Sequence, residues 1–257
     1  CKLVKTDLSH SNMHGVNLDR ADLTSANLTN ANLKASVLTN TILNGCILAG
    51  ADITVTLVTP QQLETVARNL TGAKLSGLKL AGINMEGFTL RQASFASCDL
   101  SNARLCSAVL VKSDFSGATL TGCKLRGADL TGCNVTVAQL ASVDPDMAGA
   151  SLNSMNLANL DFSGFDLRGA KFVTTNLGGS RFDSADLRDC EFVADMKKCS
   201  MEGARMEGAV GLGQLELKGG GDTSSPPLRG GGKGFLGLQS FKGGSPSVSN
   251  SFKGGSP

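Results

Sequence analysis

The sequence predicts an all-β, four-sided solenoid with two short helical insertions and a disordered C-terminal tail. Three observations predict it. An apolar residue recurs every five positions, phenylalanines and opposite charges recur at a spacing of 20, and aromatic residues make up only 4% of the 257 residues, without Trp or Tyr. A conventional core of this size carries large aromatic anchors. Their scarcity points to a narrow interior filled by repeated medium-sized side chains. The expected organisation is a repeat domain over 1–218, interrupted at 59–72 and 136–149, then a Gly/Ser/Pro-rich tail over 219–257.

The period comes first, because a missed repeat miscalls the whole fold. The apolar centre of each pentad falls at 3, 8, 13 and onward to 63, at 75 to 140, and at 152 to 192. It then slips by one residue to 196, 201 and 206, and every centre is Leu, Ile, Val, Met or Phe. In an α-helix a spacing of five would send successive centres spiralling around the axis. In a flat strand an odd spacing would send them to alternate faces. Only a chain that turns once per pentad keeps every centre facing one axis. The slot two residues before the centre holds mostly Ala, Ser, Thr or Cys and is expected to point inward as well. The remaining three positions face water.

Phenylalanine spacing sets the number of sides. Phe95 and Phe115, Phe162 and Phe182, and Phe172 and Phe192 are each 20 apart, as four pentads per coil require. The charges agree: Asp161 precedes Arg181 by 20, and Lys171 precedes Glu191 by 20. Such neighbours resemble cross-strand pairs, worth at most ~1 kcal/mol when exposed.

Pentads such as Ala21-Asp22-Leu23-Thr24-Ser25, Ala26-Asn27-Leu28 and Ala128-Asp129-Leu130-Thr131-Gly132 resemble the pentapeptide-repeat family, whose motif is A(D/N)LXX. The resemblance covers about residues 1–210. It implies a right-handed quadrilateral β-helix with about 20 residues per coil; the handedness rests on the resemblance alone. Nine or so coils at the ~4.8 Å strand spacing give a rod ~45 Å long.

The two interruptions align at an offset of 77, with Thr59-Pro60-Gln61-Gln62-Leu63 matching Thr136-Val137-Ala138-Gln139-Leu140. Each reads as a capping box, Thr at the N-cap and Gln three residues on, and Pro60 suits the first helical position. Helices are expected over about 60–69 and 137–142, the second ended by Asp144-Pro145. After each helix the inward slot turns bulky: Leu78, Ile83 and Phe88, then Met155, Leu160 and Phe165. The structural reading is a widened coil that reseats the rod; the functional reading is a ligand pocket. Residues 209–217 read as a degraded third copy, a terminal cap of the kind solenoids need.

From about 219 the composition shifts to Gly, Ser, Pro and Lys, and SFKGGSP occurs at 240–246 and 251–257. Such a segment buries too little apolar surface to offset its ordering entropy. Ser225, Ser245 and Ser256 each precede Pro and are candidate phosphorylation sites within what otherwise reads as a linker.

Seven cysteines (Cys1, Cys46, Cys98, Cys123, Cys133, Cys190 and Cys199) occupy the small inward slot, and Cys106 does not. No two have the spacing of 20 that same-face neighbours need, there is no CxxC, and His10 and His14 are the only imidazoles. Zinc and a disulfide framework are therefore not expected; cysteine here packs as a small hydrophobe. His10 and His14 fall at outward, solvated positions. Asp166 and Asp186 share a column but no cleft, and read as surface solubilisers. Accordingly no catalytic, cofactor-binding or metal-ligating residue is assigned, and no cofactor is expected.

The expected function is that of a non-catalytic structural or protein–protein interaction scaffold, one part of a larger adaptor. An unidentified protein would bind on a solenoid face, with no nucleic acid, membrane insertion or small-molecule substrate. The alternative is a DNA mimic acting on type II topoisomerases, as the resemblance implies for the quinolone-resistance members. That role needs an acidic face, whereas residues 1–210 carry 19 basic and 20 acidic side chains. Ice binding needs Thr ladders at 20, but Asn44 follows Thr24 and Ala49 follows Thr29. No signal or transmembrane segment is present, so a cytoplasmic location is expected. The chain opens mid-motif at Cys1-Lys2-Leu3, which reads as a fragment or a processed chain.

Overall fold

The structure, a computed structural model, describes residues 1–211. The pentad dictates its geometry. The Asp or Asn before each centre accepts the N–H two residues on, as Asp22 Oδ1 does from Thr24 at 3.0 Å and Asn27 Oδ1 from Thr29 at 3.1 Å. This local bond bends the chain. The turn then closes through a main-chain bond such as Ala26 N–H to the Leu23 carbonyl, 2.9 Å. The last residue of the pentad takes a positive φ, 56° at Ser25 and 66° at Gly132, which explains why Gly, Asn and Ser collect there.

One short bridge separates consecutive turns, so four turns bring the chain back over itself. Asp22 bridges Ile42, Asn27 bridges Ile47 and Asn32 bridges Asp52, all parallel and all 20 apart. Between coils the centre donates upward (Leu23 N–H to the Ile42 carbonyl, 2.9 Å) and its neighbour donates downward (Asp22 N–H to the Cys1 carbonyl, 2.9 Å). In the last coils the bridges lengthen into a two-stranded parallel pair, β1 (Lys171–Asn176) with β2 (Glu191–Asp195). The one-residue slip seen in the sequence lies here: Phe172 pairs with Phe192, but Asn176 pairs with Asp195.

Both predicted helices form, shorter than expected. α1 spans Pro60–Glu64 and α2 spans Val137–Leu140, each opened by the capping box that the sequence shows. They end early because the coil reclaims the chain: Gly45 N–H donates to the Thr65 carbonyl and Gly122 N–H to the Ser142 carbonyl, each at 2.8 Å. Bridging resumes at Asn69 and Asp146, inside the expected interruptions. Each insertion therefore adds only two residues to its coil, as the bridges Asp52–Lys74 and Asp129–Ser151 show. The stack continues through both insertions and has more levels than the nine or so expected, because helix-bearing coils count as coils.

One device makes this possible. In a regular coil, the residue 21 positions after an inward small residue donates its N–H to that residue's carbonyl, as Asp52 does to Ala31 at 2.9 Å. Gln62 and Gln139 stand at this position, but their N–H groups are spent on the helix caps Thr59 and Thr136. Their side-chain amides substitute, donating at 2.8 Å to the Thr41 and Ala118 carbonyls and also to those of Leu38 and Phe115. The buried carbonyls below each helix thus stay paired.

The core is one continuous column of centres and small residues. All three predicted phenylalanine pairs stack, with centroids 5.3 Å apart for Phe95–Phe115, 5.2 Å for Phe162–Phe182 and 5.1 Å for Phe172–Phe192. The bulky residues after each helix are buried, with Phe165 an exception: it is half-buried, its ring edge-on to Phe162 at 5.5 Å. The proposed third copy beyond residue 211, the tail and its Ser-Pro sites lie outside the described residues. No helix among the described residues is long and apolar enough to cross a membrane.

Candidate functional site

Six cysteines (Cys46, Cys98, Cys123, Cys133, Cys190 and Cys199) are buried, whereas Cys1, expected inside, is exposed in the first coil. Burial pushes the Cys46, Cys123, Cys133 and Cys190 thiols up to about 12, far from the range of a reactive thiolate. The slot nevertheless has a polar task. Cys98, Cys133, Cys190 and Cys199 donate to the carbonyls of Leu75, Leu110, Leu167 and Leu177 at 2.9–3.0 Å. Ser36, Thr41, Ser113 and Ser180 make the same bond. Cysteine here is more than a size choice. His10 and His14 are exposed.

Two shallow grooves flank α1. One, of about 540 Å³, lies between Glu64, Arg68, Glu86 and Phe88. Its polar groups are engaged within the protein: Glu64 accepts the Asn84 N–H at 2.7 Å, Glu86 meets Arg104 at 3.4 Å, and Arg68 lies 5.9 Å over the Phe88 ring. The other, of about 350 Å³, lies beside Val55, Leu57 and Leu78. Thus the coil after α1 does open a groove as well as reseat the rod.

The four faces differ sharply. The first carries an ionic ladder. Arg126 meets Asp146 at 3.0 Å, Arg168 meets Asp166 at 2.5 Å, and Asp186 receives Arg188 at 2.6 Å with Arg205 at 3.6 Å. Asp166 and Asp186, which share a column as predicted, are therefore clamped acceptors rather than plain solubilisers. Arg188 foremost holds the Asp186 carboxyl down to about 2. The third face carries asparagine ladders, in which Asn32 donates to the Asn12 amide oxygen at 3.1 Å, Asn134 to the Asp114 carboxylate at 2.6 Å and Asn176 to the Asn156 amide oxygen at 3.0 Å. The fourth holds the predicted Asp161–Arg181 pair at 3.6 Å, extended to Asp183 at 3.0 Å. α1 interrupts the first face, between Ile42 and Asn84, and α2 the fourth, between Thr119 and Asp161.

The second face is different in kind. From Asn69 to Val210 its column is bridged at every level, through Thr89, Val109, Asp129, Ser151, Lys171 and Glu191. Among the described residues no helix overlies it. Its outward side chains are largely uncharged: Ile47, Thr71, Thr89, Val109, Val111, Thr131, Val173 and Val193. Lys171 and Glu191 share register as predicted, yet they form no ion pair, and neither do Arg91 and Asp129. Sequence reasoning missed this face. The signal was there, but the two extra residues at each insertion scramble a column count in steps of 20.

A family model for pentapeptide repeats matches eight copies, over residues 1–40, 69–105, 98–136, 146–182 and 166–210. The chain belongs to the pentapeptide repeat family. The second gap between matched stretches holds α2, and the first holds α1. Among solved structures of the family, the chain is similar to HetL, involved in heterocyst differentiation regulation in the cyanobacterium Nostoc sp. strain PCC 7120. The identity is 24% over 81% of this chain and 88% of that one, with a TM-score of 0.34. It is also similar to a trypsin-treated QnrB1, a plasmid-mediated fluoroquinolone resistance protein (13% identity, 80% and 91% coverage, TM-score 0.30). A third is a pentapeptide repeat protein of the Arabidopsis thaliana thylakoid lumen (24%, 52% and 74%, TM-score 0.21). Comparison with curated proteins gives no match.

Proposed function

We propose that this chain is a non-catalytic protein-interaction scaffold, a right-handed pentapeptide-repeat rod within a larger adaptor, whose second face is the binding surface. The observation that carries this reading is the contrast between faces. Ion pairs concentrate on the first and fourth faces and side-chain ladders on the third, whereas from Asn69 to Val210 the second presents mainly aliphatic and threonine side chains on an uninterrupted bridged surface. Interface centres are depleted in charge and rich in contact area, and a rigid rod loses little entropy when it docks. Six of the eight cysteines are buried and both histidines are exposed, in keeping with a packing and surface role. The DNA-mimic alternative needs a run of unpaired carboxylates; here the first-face acids alternate with the arginines that clamp them.

Affinity capture with the full chain tests the reading. Wild type is expected to retain a polypeptide partner that the Thr89→Glu/Thr131→Glu variant, folded by circular dichroism, fails to retain. Equal retention by both proteins contradicts the assignment of the second face.

A further inference from the structure

The partner of this face can be named from its own pattern; the inference rests on the scaffold reading just given. We propose that the second face pairs with the second face of another copy of this chain, antiparallel, about a two-fold axis at the level of Val109 and Val111.

A two-fold contact sets one surface against itself, so the surface must be self-complementary. At the Val109–Val111 level the two outward side chains of the face are both valine, partly exposed, so each meets its own counterpart in an apolar centre. One level below lies Arg91 and one level above lies Asp129, the two opposite charges of the middle of this face, which make no ion pair among the described residues. Antiparallel pairing brings Arg91 level with Asp129 of the other copy, twice over, within the reach of a side chain that spans the width of the face. Parallel pairing would set Arg91 level with Arg91 and Asp129 with Asp129, so charge selects the antiparallel arrangement.

The next levels agree. Two levels out, Asn69 and Thr71 oppose Ser151 and Asn153, polar against polar; three levels out, Ala49 opposes Val173 and Ile47 meets the aliphatic stem of Lys171; four levels out, Asn27 opposes Glu191. No outward position of the face meets a like charge. Lys112 sits at the left-handed corner of the central level (φ 58°), at the hydrated rim where a charge counts for little. Five levels lie on each side of the centre, from Asp7 to Val210, so the pairing overlaps every described coil. Eleven levels at ~4.8 Å by ~10 Å of width bury on the order of 1,000 Å² in total, the low end for specific association. The dimer is therefore reversible and concentration-dependent.

Sedimentation equilibrium of the full chain, from about 1 to 500 µM, tests this. Wild type is expected to show a monomer–dimer equilibrium. Val111→Glu, Arg91→Asp alone and Asp129→Arg alone should each weaken it at least ~10-fold, with thermal melting showing that each variant folds. Because every contact is reciprocal, mixing Arg91→Asp with Asp129→Arg restores both ion pairs and should give a heterodimer of wild-type strength. A wild type that stays monomeric throughout, a dimer indifferent to the three variants, or a mixture that does not associate overturns the proposal. Retention of a different polypeptide by the second face, with the wild type monomeric, overturns the self-pairing and leaves the scaffold reading standing.

Discussion

At the scale of single residues, the inward slots divide the stabilising work unevenly. Leu120 is a fully packed centre, whereas Cys123 fills the place that Ala holds in neighbouring pentads. Leu120→Ala is expected to cost ~2–5 kcal/mol through lost burial and the cavity left behind, and Cys123→Ala ~1 kcal/mol or less; urea denaturation of the two variants measures both. Equal losses would mean that Cys123 does more than pack. That much was legible in the sequence, because Cys and Ala alternate in one slot. The hydrogen bonds of Cys98 and Cys133 were not, since the accepting carbonyls lie 23 residues earlier, in the coil below.

The carboxylates give a pH dependence. The Asp186 carboxyl is held at about 2, by Arg188 first and with help from Arg205, below the value of about 4 in an unfolded chain. A group depressed on folding contributes stability above its unfolded value and loses it as pH falls towards its folded value. The melting temperature is therefore expected to fall between pH ~4 and ~2, and to fall less steeply in Asp186→Asn. An unchanged slope in that variant would place the acid sensitivity elsewhere.

At the scale of elements, each insertion hangs on one glutamine. Gln139 accepts the Thr136 N–H through Oε1 and donates through Nε2 to the Phe115 and Ala118 carbonyls. Gln139→Ala should leave the buried Ala118 carbonyl unpaired and cost ~1–3 kcal/mol. Gln139→Glu keeps the cap acceptor and loses both donors, so it should be no better than alanine. If glutamate restores full stability in a thermal melt, the capping bond and not the carbonyl bonds explains the residue. Helix starts were readable because Thr59-Gln62 and Thr136-Gln139 are local signals. Helix ends were not, because Thr65 and Ser142 are claimed by Gly45 and Gly122 of the preceding coil.

At the scale of the whole molecule, the pentad period and the phenylalanine spacing made the four-sided coil legible before any coordinates. The distinction between faces was hidden by a register change: Asp52 bridges Lys74 and Asp129 bridges Ser151, so columns counted by 20 beyond residue 58 mix neighbouring positions. Restoring the two extra residues separates an ionic first face, an amide-laddered third, an interrupted fourth and a largely uncharged second. The central claim is that the second face alone does the binding, and site-specific photocrosslinking in cells tests it most directly. A photoreactive residue is placed singly at Lys124 on the first face, Thr131 on the second, Ser94 on the third and Lys79 on the fourth. A discrete crosslinked polypeptide is expected from Thr131 and none from the other three. Discrete crosslinks from Lys124, Ser94 or Lys79, with none from Thr131, would contradict it.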